Sequence, residues 1–198
     1  MAHVGATSGR PVVVRGAHTR RALGLGHGAE TSTEMLTLNN VEKGFNGRTL
    51  FSDVSLQVNV GDRAGLVGPN GAGKTTTIQM LLDVVSPTSG SIEIFGKRMR
   101  DARTEILGSV NFSSPYVNLP YNLKVRENLA TFGRMYGVRD VWGKIDELAD
   151  YFEIRGLLPK LTSSLSTGQL ARLNLTKALL HDPKLLLLDE PTSSLDPD

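Results

Sequence analysis

The chain has 198 residues, enough for one domain with its own core, and its 39% hydrophobic and 21% charged residues are ordinary for a globular protein. It contains no cysteine, which excludes disulfides and cysteine-based zinc sites and accords with a reducing, cytosolic setting. The formal net charge of +2 comes from the first 33 residues, where Arg10, Arg15, Arg20 and Arg21 outnumber one acid, Glu30; the remaining 18 basic and 19 acidic residues nearly cancel, which is not the electrostatic footprint of a nucleic-acid binder.

Residues 1–33 are rich in Gly, Ala, His, Arg and Thr and show little periodicity. Their composition predicts a disordered extension, with Val12, Val13 and Val14 too short a run to nucleate a core. The segment is nearly free of acids, as transit peptides are, but it lacks their amphipathic stripe. An ordered domain is expected over residues 34–198. A short strand is predicted over 35–38. Val54, Leu56, Val58 and Val60 then alternate with Ser55, Gln57 and Asn59, the period-two pattern of an antiparallel strand with one face buried. Gly61 and Asp62 form a turn, and 63–67 is a strand.

That strand runs into Gly68, Pro69, Asn70, Gly71, Ala72, Gly73, Lys74, Thr75 and Thr76, which fit the P-loop pattern G-x-x-x-x-G-K-[ST]. The glycines let the backbone wrap closely around an anion with its N–H groups pointing inward. Lys74 adds a mobile charge that reaches β- and γ-phosphates, and the Thr75 hydroxyl is placed to ligate Mg²⁺. Thr76, Ile78, Leu81 and Leu82 continue as a helix whose positive end faces the phosphates.

After a turn at Pro87, Thr88, Ser89 and Gly90, a strand is predicted over 92–95. Val125, Leu129, Phe132 and Tyr136 mark one helix face, and Ile145, Leu148 and Phe152 mark another. Trp142 reads as a packing residue and His181 as a surface one. The segment from about 115 to 180 is therefore a helical insert. Leu185, Leu186, Leu187 and Leu188 suit a parallel strand covered on both faces. Asp189 and Glu190 follow at its C-terminal end, where α/β folds place their ligands. Asp189 is suited to hold Mg²⁺ and Glu190 to act as general base on the attacking water. Leu165, Ser166, Thr167, Gly168 and Gln169 open a further helix, with Ser166 as its N-cap.

This order of motifs, a P-loop, then L-S-x-G-Q, then L-L-L-L-D-E-P, resembles the ATP-binding cassette (ABC) domain over about 35–198. The resemblance implies an α/β fold: a P-loop NTPase (RecA-like) core with an antiparallel β subdomain and a helical subdomain. It also places Phe45 as the aromatic that stacks on adenine, where tyrosine is usual, and Ser194, Leu195 and Asp196 in the D-loop at a dimer interface. It implies an ATPase using ATP and Mg²⁺, with catalytic roles for Lys74 and Glu190. Two copies would pair head-to-tail, so that Leu165 to Gln169 of one cover the nucleotide held by the P-loop of the other. The site would lie on the cytoplasmic side, peripheral to the inner face of the membrane, and drive a separate transmembrane permease that selects the substrate. No apolar run approaches the roughly 20 residues of a spanning helix.

Two departures temper this. The family's glutamine after the P-loop helix is missing from 107–115; Ser113 takes its position, with Asn111 as a neighbour able to substitute. The chain stops at Asp198, before the family's switch histidine and the last strands of its sheet, which predicts weak hydrolysis and marginal stability for this chain. Asn111 to Pro115 and Arg126, Glu127 and Asn128 look more like export systems than importers. The alternative is a cassette, regulatory or fragmentary, that binds nucleotide without hydrolysing it. A soluble ABC ATPase acting on ribosomes or DNA is disfavoured by the single cassette, the lack of cysteine, and only about ninety residues between Lys74 and Ser166.

Overall fold

The computed structural model describes residues 12–16 (as backbone), 34–67, 69–114 and 119–190. The chain divides into two compact units, residues 1–106 and 107–198.

The first unit contains β1 (Val12–Gly16), β2 (Glu34–Phe45), β3 (Arg48–Asn59), β4 (Arg63–Val67), α1 (Lys74–Leu81), β5 (Ser89–Ile94), β6 (Lys97–Arg98) and α2 (Met99–Leu107). Asn46 and Gly47, at φ 48° and 78°, form the two-residue turn that closes the β2–β3 hairpin, with Phe45 opposite Arg48. Positive φ at both central residues is what the right-handed twist of a tight hairpin requires. The hairpin grows into an antiparallel sheet of order β3-β2-β5-β6. Leu36 pairs with Val58 on one side and Ile94 on the other, and these three residues are buried with Leu38, Val41 and Phe51. The expected alternation ends one residue early: Val60 lies in the turn and is 63% exposed. Asp62 closes that turn, its N–H donating to Asn59 O and its carboxylate accepting from Asn59 N–H, both at 3.0 Å.

Strand β4 pairs antiparallel with β1, from Val12 opposite Val67 to Gly16 opposite Arg63. The valine run expected to lack order is thus a strand, because pairing with a distant strand satisfies a backbone that no local pattern could. β2 is also far longer than the 35–38 segment expected, and β6 and α2 lie outside the expected elements.

The second unit contains β7 (Val110–Ser113), α3 (Val125–Met135), α4 (Val141–Tyr151), α5 (Thr167–Ala178) and β8 (Leu185–Leu188). β7 and β8 pair in parallel, Val110 opposite Leu185 and Ser113 opposite Leu188, as the run of leucines predicts, but the strand is not covered throughout: Leu187 is buried and Leu188 is 38% exposed. The helices bury Val125, Leu129, Ile145, Leu148 and Leu173 in one apolar cluster, with Phe132, Tyr136 and Phe152 packed against it. Each full burial of such a side chain contributes roughly 1.5–3 kcal/mol. Asn128, 1% exposed, ties the start of α3 to its surroundings: Nδ2 donates to Pro120 O at 2.9 Å and to Thr162 Oγ1 at 2.8 Å. Trp142 is not a packing residue. It stands on the outer face of α4, 46% exposed, with the guanidinium groups of Arg126 and Arg134 at 5.1 and 5.9 Å from its ring.

Candidate functional site

In the first unit, the loop between β4 and α1 brings the P-loop residues together; Gly68 lies outside the described residues. Ala72 N–H donates to Pro69 O at 3.1 Å, and Gly71 and Gly73 stand at φ 82° and 93°. Gly73 has a second constraint, because a Cβ there would lie 2.8 Å from two ring carbons of Phe51. Gly73 is also the N-cap of α1. It offers no side-chain acceptor, and the first turn holds no acid. A first turn with neither a side-chain cap nor an acid keeps its positive end electrostatically suited to an anion. Lys74 reaches back across the loop, Nζ to Pro69 O at 3.2 Å. Thr75 is exposed and Thr76 half-buried, whereas Thr77 points into the protein and donates its hydroxyl to Gly73 O at 2.9 Å.

Beside the loop lies a cleft of about 550 Å³, lined by Phe45, Arg48, Thr49 and Leu50 from the hairpin and by Pro69, Asn70, Gly71 and Ala72 from the loop. Phe45 is 49% exposed, so it is not a core aromatic. Arg48, Thr49 and Leu50 were not singled out in the sequence, although the Asn46-Gly47 turn folds them back beside Phe45 and so points to them.

In the second unit, Asp189 and Glu190 follow β8. Asp189 N–H donates to Ser113 O at 2.9 Å, which extends the parallel ladder one residue past the Ser113–Leu188 pair at the C-terminal ends of the two strands. Asp189 is buried; Glu190 is exposed and at φ 47°. Asn111 cannot stand in for the missing glutamine. Its Nδ2 donates to Ala178 O at 2.7 Å and its Oδ1 accepts from Phe112 N–H at 2.8 Å, so its amide is spent on joining β7 to the end of α5. His181 is not a plain surface residue. Its ring is half-buried, 4.7 Å from that of Tyr136, and burial holds its pKa below the usual histidine value.

Ser166 caps α5 in a capping box: its Oγ accepts from Gln169 N–H at 3.3 Å, and Gln169 Oε1 accepts from Ser166 N–H at 3.1 Å. Leu165 packs against the helical core, which fixes the entry to the helix, while Ser166 and Thr167 are exposed. The capped hydroxyl accepts one bond and keeps its own proton to donate outward. Gly168 meets nothing within 4 Å of a notional Cβ, so this helix end presents an unobstructed surface. Ser194, Leu195 and Asp196 lie outside the described residues.

Among the described residues there is no group of three or more His, Cys, Asp or Glu side chains able to hold a metal. Mg²⁺ does not need one. It takes one or two protein oxygens and completes its shell with phosphate oxygens and water. A threonine hydroxyl and a carboxylate, Thr75 and Asp189, are oxygen donors of that kind.

A family model described as ABC transporter matches residues 51–193. The chain is 39% identical over 158 residues to the bacitracin transport ATP-binding protein BcrA of Bacillus licheniformis, covering 80% of the chain and 51% of that protein. It is 37% identical over 160 residues to the Nod factor export ATP-binding protein I of Burkholderia lata, covering 80% and 53%. The chain thus spans about half the length of these curated relatives. The structure of cbiO1 from Clostridium perfringens, part of the ABC transporter complex cbiONQ, superposes with a TM-score of 0.72 at 24% identity, over 84% of this chain and 69% of that one. A putative ABC transporter ATP-binding protein from Pyrococcus furiosus gives 0.70 at 24% identity, over 82% and 78%. These likenesses show the P-loop NTPase fold with its antiparallel sheet and helices.

Proposed function

The chain belongs to the ABC transporter family, and we propose that it is the ATP-binding, ATP-hydrolysing subunit of an exporter whose membrane-spanning part is a separate polypeptide. The observation that carries this reading is the loop between β4 and α1, with its positive-φ glycines, a glycine as the N-cap of the helix that follows, and Lys74 reaching back to the Pro69 carbonyl. Such a loop holds a polyphosphate by backbone N–H groups, and the lysine adds charge at the β- and γ-phosphates. Phe45, at the mouth of the adjoining cleft, stacks on the adenine. Thr75 and Asp189 would hold Mg²⁺, which neutralises phosphate charge when bound. Glu190 takes the proton of the water that attacks the γ-phosphorus.

The exposed Ser166 and the half-buried Gly168 are offered to the nucleotide of a second copy, paired head-to-tail, with Ser194, Leu195 and Asp196 at the contact. In-line phosphoryl transfer needs positioning and charge neutralisation above all, and these groups supply both. Among the described residues no helix is long and apolar enough to cross a membrane, which fits a subunit peripheral to the cytoplasmic face. Export is favoured by the relatives, one a bacitracin transport protein and others Nod factor export proteins. ATP binding and turnover, measured separately on the parent and on Lys74→Ala, test the reading. Binding and turnover that both depend on Lys74 support it. Binding without turnover, even with a membrane subunit present, would leave a nucleotide-sensing cassette instead.

A further inference from the structure

Phe45 has no hydroxyl, and so no hydrogen bond of its own to fix its ring at an exposed hairpin tip. Lys43 supplies the restraint. It lies two residues earlier, on the same side of β2. Its Nζ stands 4.6 Å from the centroid of the Phe45 ring and donates to Ser86 O at 2.8 Å. Between the two, Gly44 N–H donates to Thr88 Oγ1 at 3.0 Å. Ser86 and Thr88 belong to the segment that leaves α1, the helix the phosphate loop begins. The ring is thus anchored, through one ammonium, to the far end of that helix. The cleft of about 550 Å³ is lined by Phe45 but not by Lys43. The ammonium thus stands outside the cleft lining, over the ring of a residue that is 49% exposed and so keeps an open side.

We propose that Lys43 is a positioning residue for the nucleobase, holding the Phe45 ring so that its open side stacks on the base of a nucleotide bound in the phosphate loop. Lys43 has this role only if the loop binds ATP, as proposed above. A cation over one face is attracted to the electron-rich ring, which fixes the ring's tilt without touching the nucleotide.

The role separates from general stabilisation by comparing ATP with inorganic tripolyphosphate, which has no base, in calorimetric titrations of the full chain. Lys43→Met and Lys43→Gln are expected to bind ATP about threefold to tenfold more weakly, with tripolyphosphate binding unchanged. Lys43→Arg restores ATP binding, because a guanidinium also sits over an aromatic ring. In a Phe45→Ala background, Lys43→Met adds no further loss. Equal losses for ATP and tripolyphosphate, or no loss for ATP, would overturn the inference while leaving the loop reading intact, provided Lys74→Ala still abolishes ATP binding. If Lys74→Ala leaves ATP binding unaltered, the loop reading and this inference fall together.

Discussion

Gly73 answers to a dihedral and to a neighbour at once, whereas Gly71, at φ 82°, has nothing within 4 Å of a notional Cβ. An alanine at Gly73 must adopt φ 93° and must also push the Phe51 ring away from 2.8 Å. Strain of this kind costs about 1–3 kcal/mol for the backbone alone, so Gly73→Ala is expected to lower unfolding stability by at least about 2 kcal/mol in urea titrations and to weaken phosphate binding with it. Lys177 shows a different residue-scale cost. It is 5% exposed, its ammonium lies 5.0 Å from the Phe132 ring, and among the described residues it has no ion pair. Burial holds its pKa below the usual lysine value of 10.5. The unfolded chain therefore binds more protons below pH 10.5, and stability rises with pH through the window from the depressed value to 10.5. Lys177→Met is predicted to be more stable than the parent at pH 7, with the gap closing as the pH approaches 10.5. Thermal melts across that range check the sign.

At the scale of elements, α5 combines two roles that one substitution series can separate. Its first turn is held by the Ser166–Gln169 box, so Ser166→Ala is expected to cost about 1 kcal/mol of stability. Asp caps as well as Ser does, yet it places a negative charge where the proposal brings a γ-phosphate. Ser166→Asp is therefore predicted to keep the parent's melting temperature and lose at least about tenfold in turnover. Equal turnover in Ser166→Asp and the parent would remove this helix end from the chemistry. The same scale shows what was legible. The phosphate loop, the Ser166 cap and the parallel strand at Leu185–Leu188 read directly because each depends on neighbours in sequence. The pairing of β1 with β4 did not, since its two partners lie about fifty residues apart and neither has a pattern that names the other. Asn111 misled for a related reason: its type suited the missing glutamine, but its partner, the carbonyl of Ala178, comes from the far end of another helix.

For the whole molecule, the proposal places half a catalytic site in each copy: Lys74 and Glu190 act on a nucleotide that Ser166 of the other copy covers. Under that proposal hydrolysis ends the pairing, and a chain that binds ATP without cleaving it would accumulate as the pair. Glu190→Gln, which removes the base and keeps the shape, is predicted to sediment with MgATP at about twice the 21.4 kDa of one chain, while the parent with MgADP sediments as a single copy. All of this stands on the claim that the loop between β4 and α1 binds ATP through Lys74. Calorimetric titration of ATP into the parent and into Lys74→Ala measures that claim most directly. The account predicts saturable one-site binding to the parent and at least about tenfold weaker binding to a folded Lys74→Ala, equivalent to about 1.4 kcal/mol. Equal affinity for the two chains, or no binding to a folded parent, would contradict it.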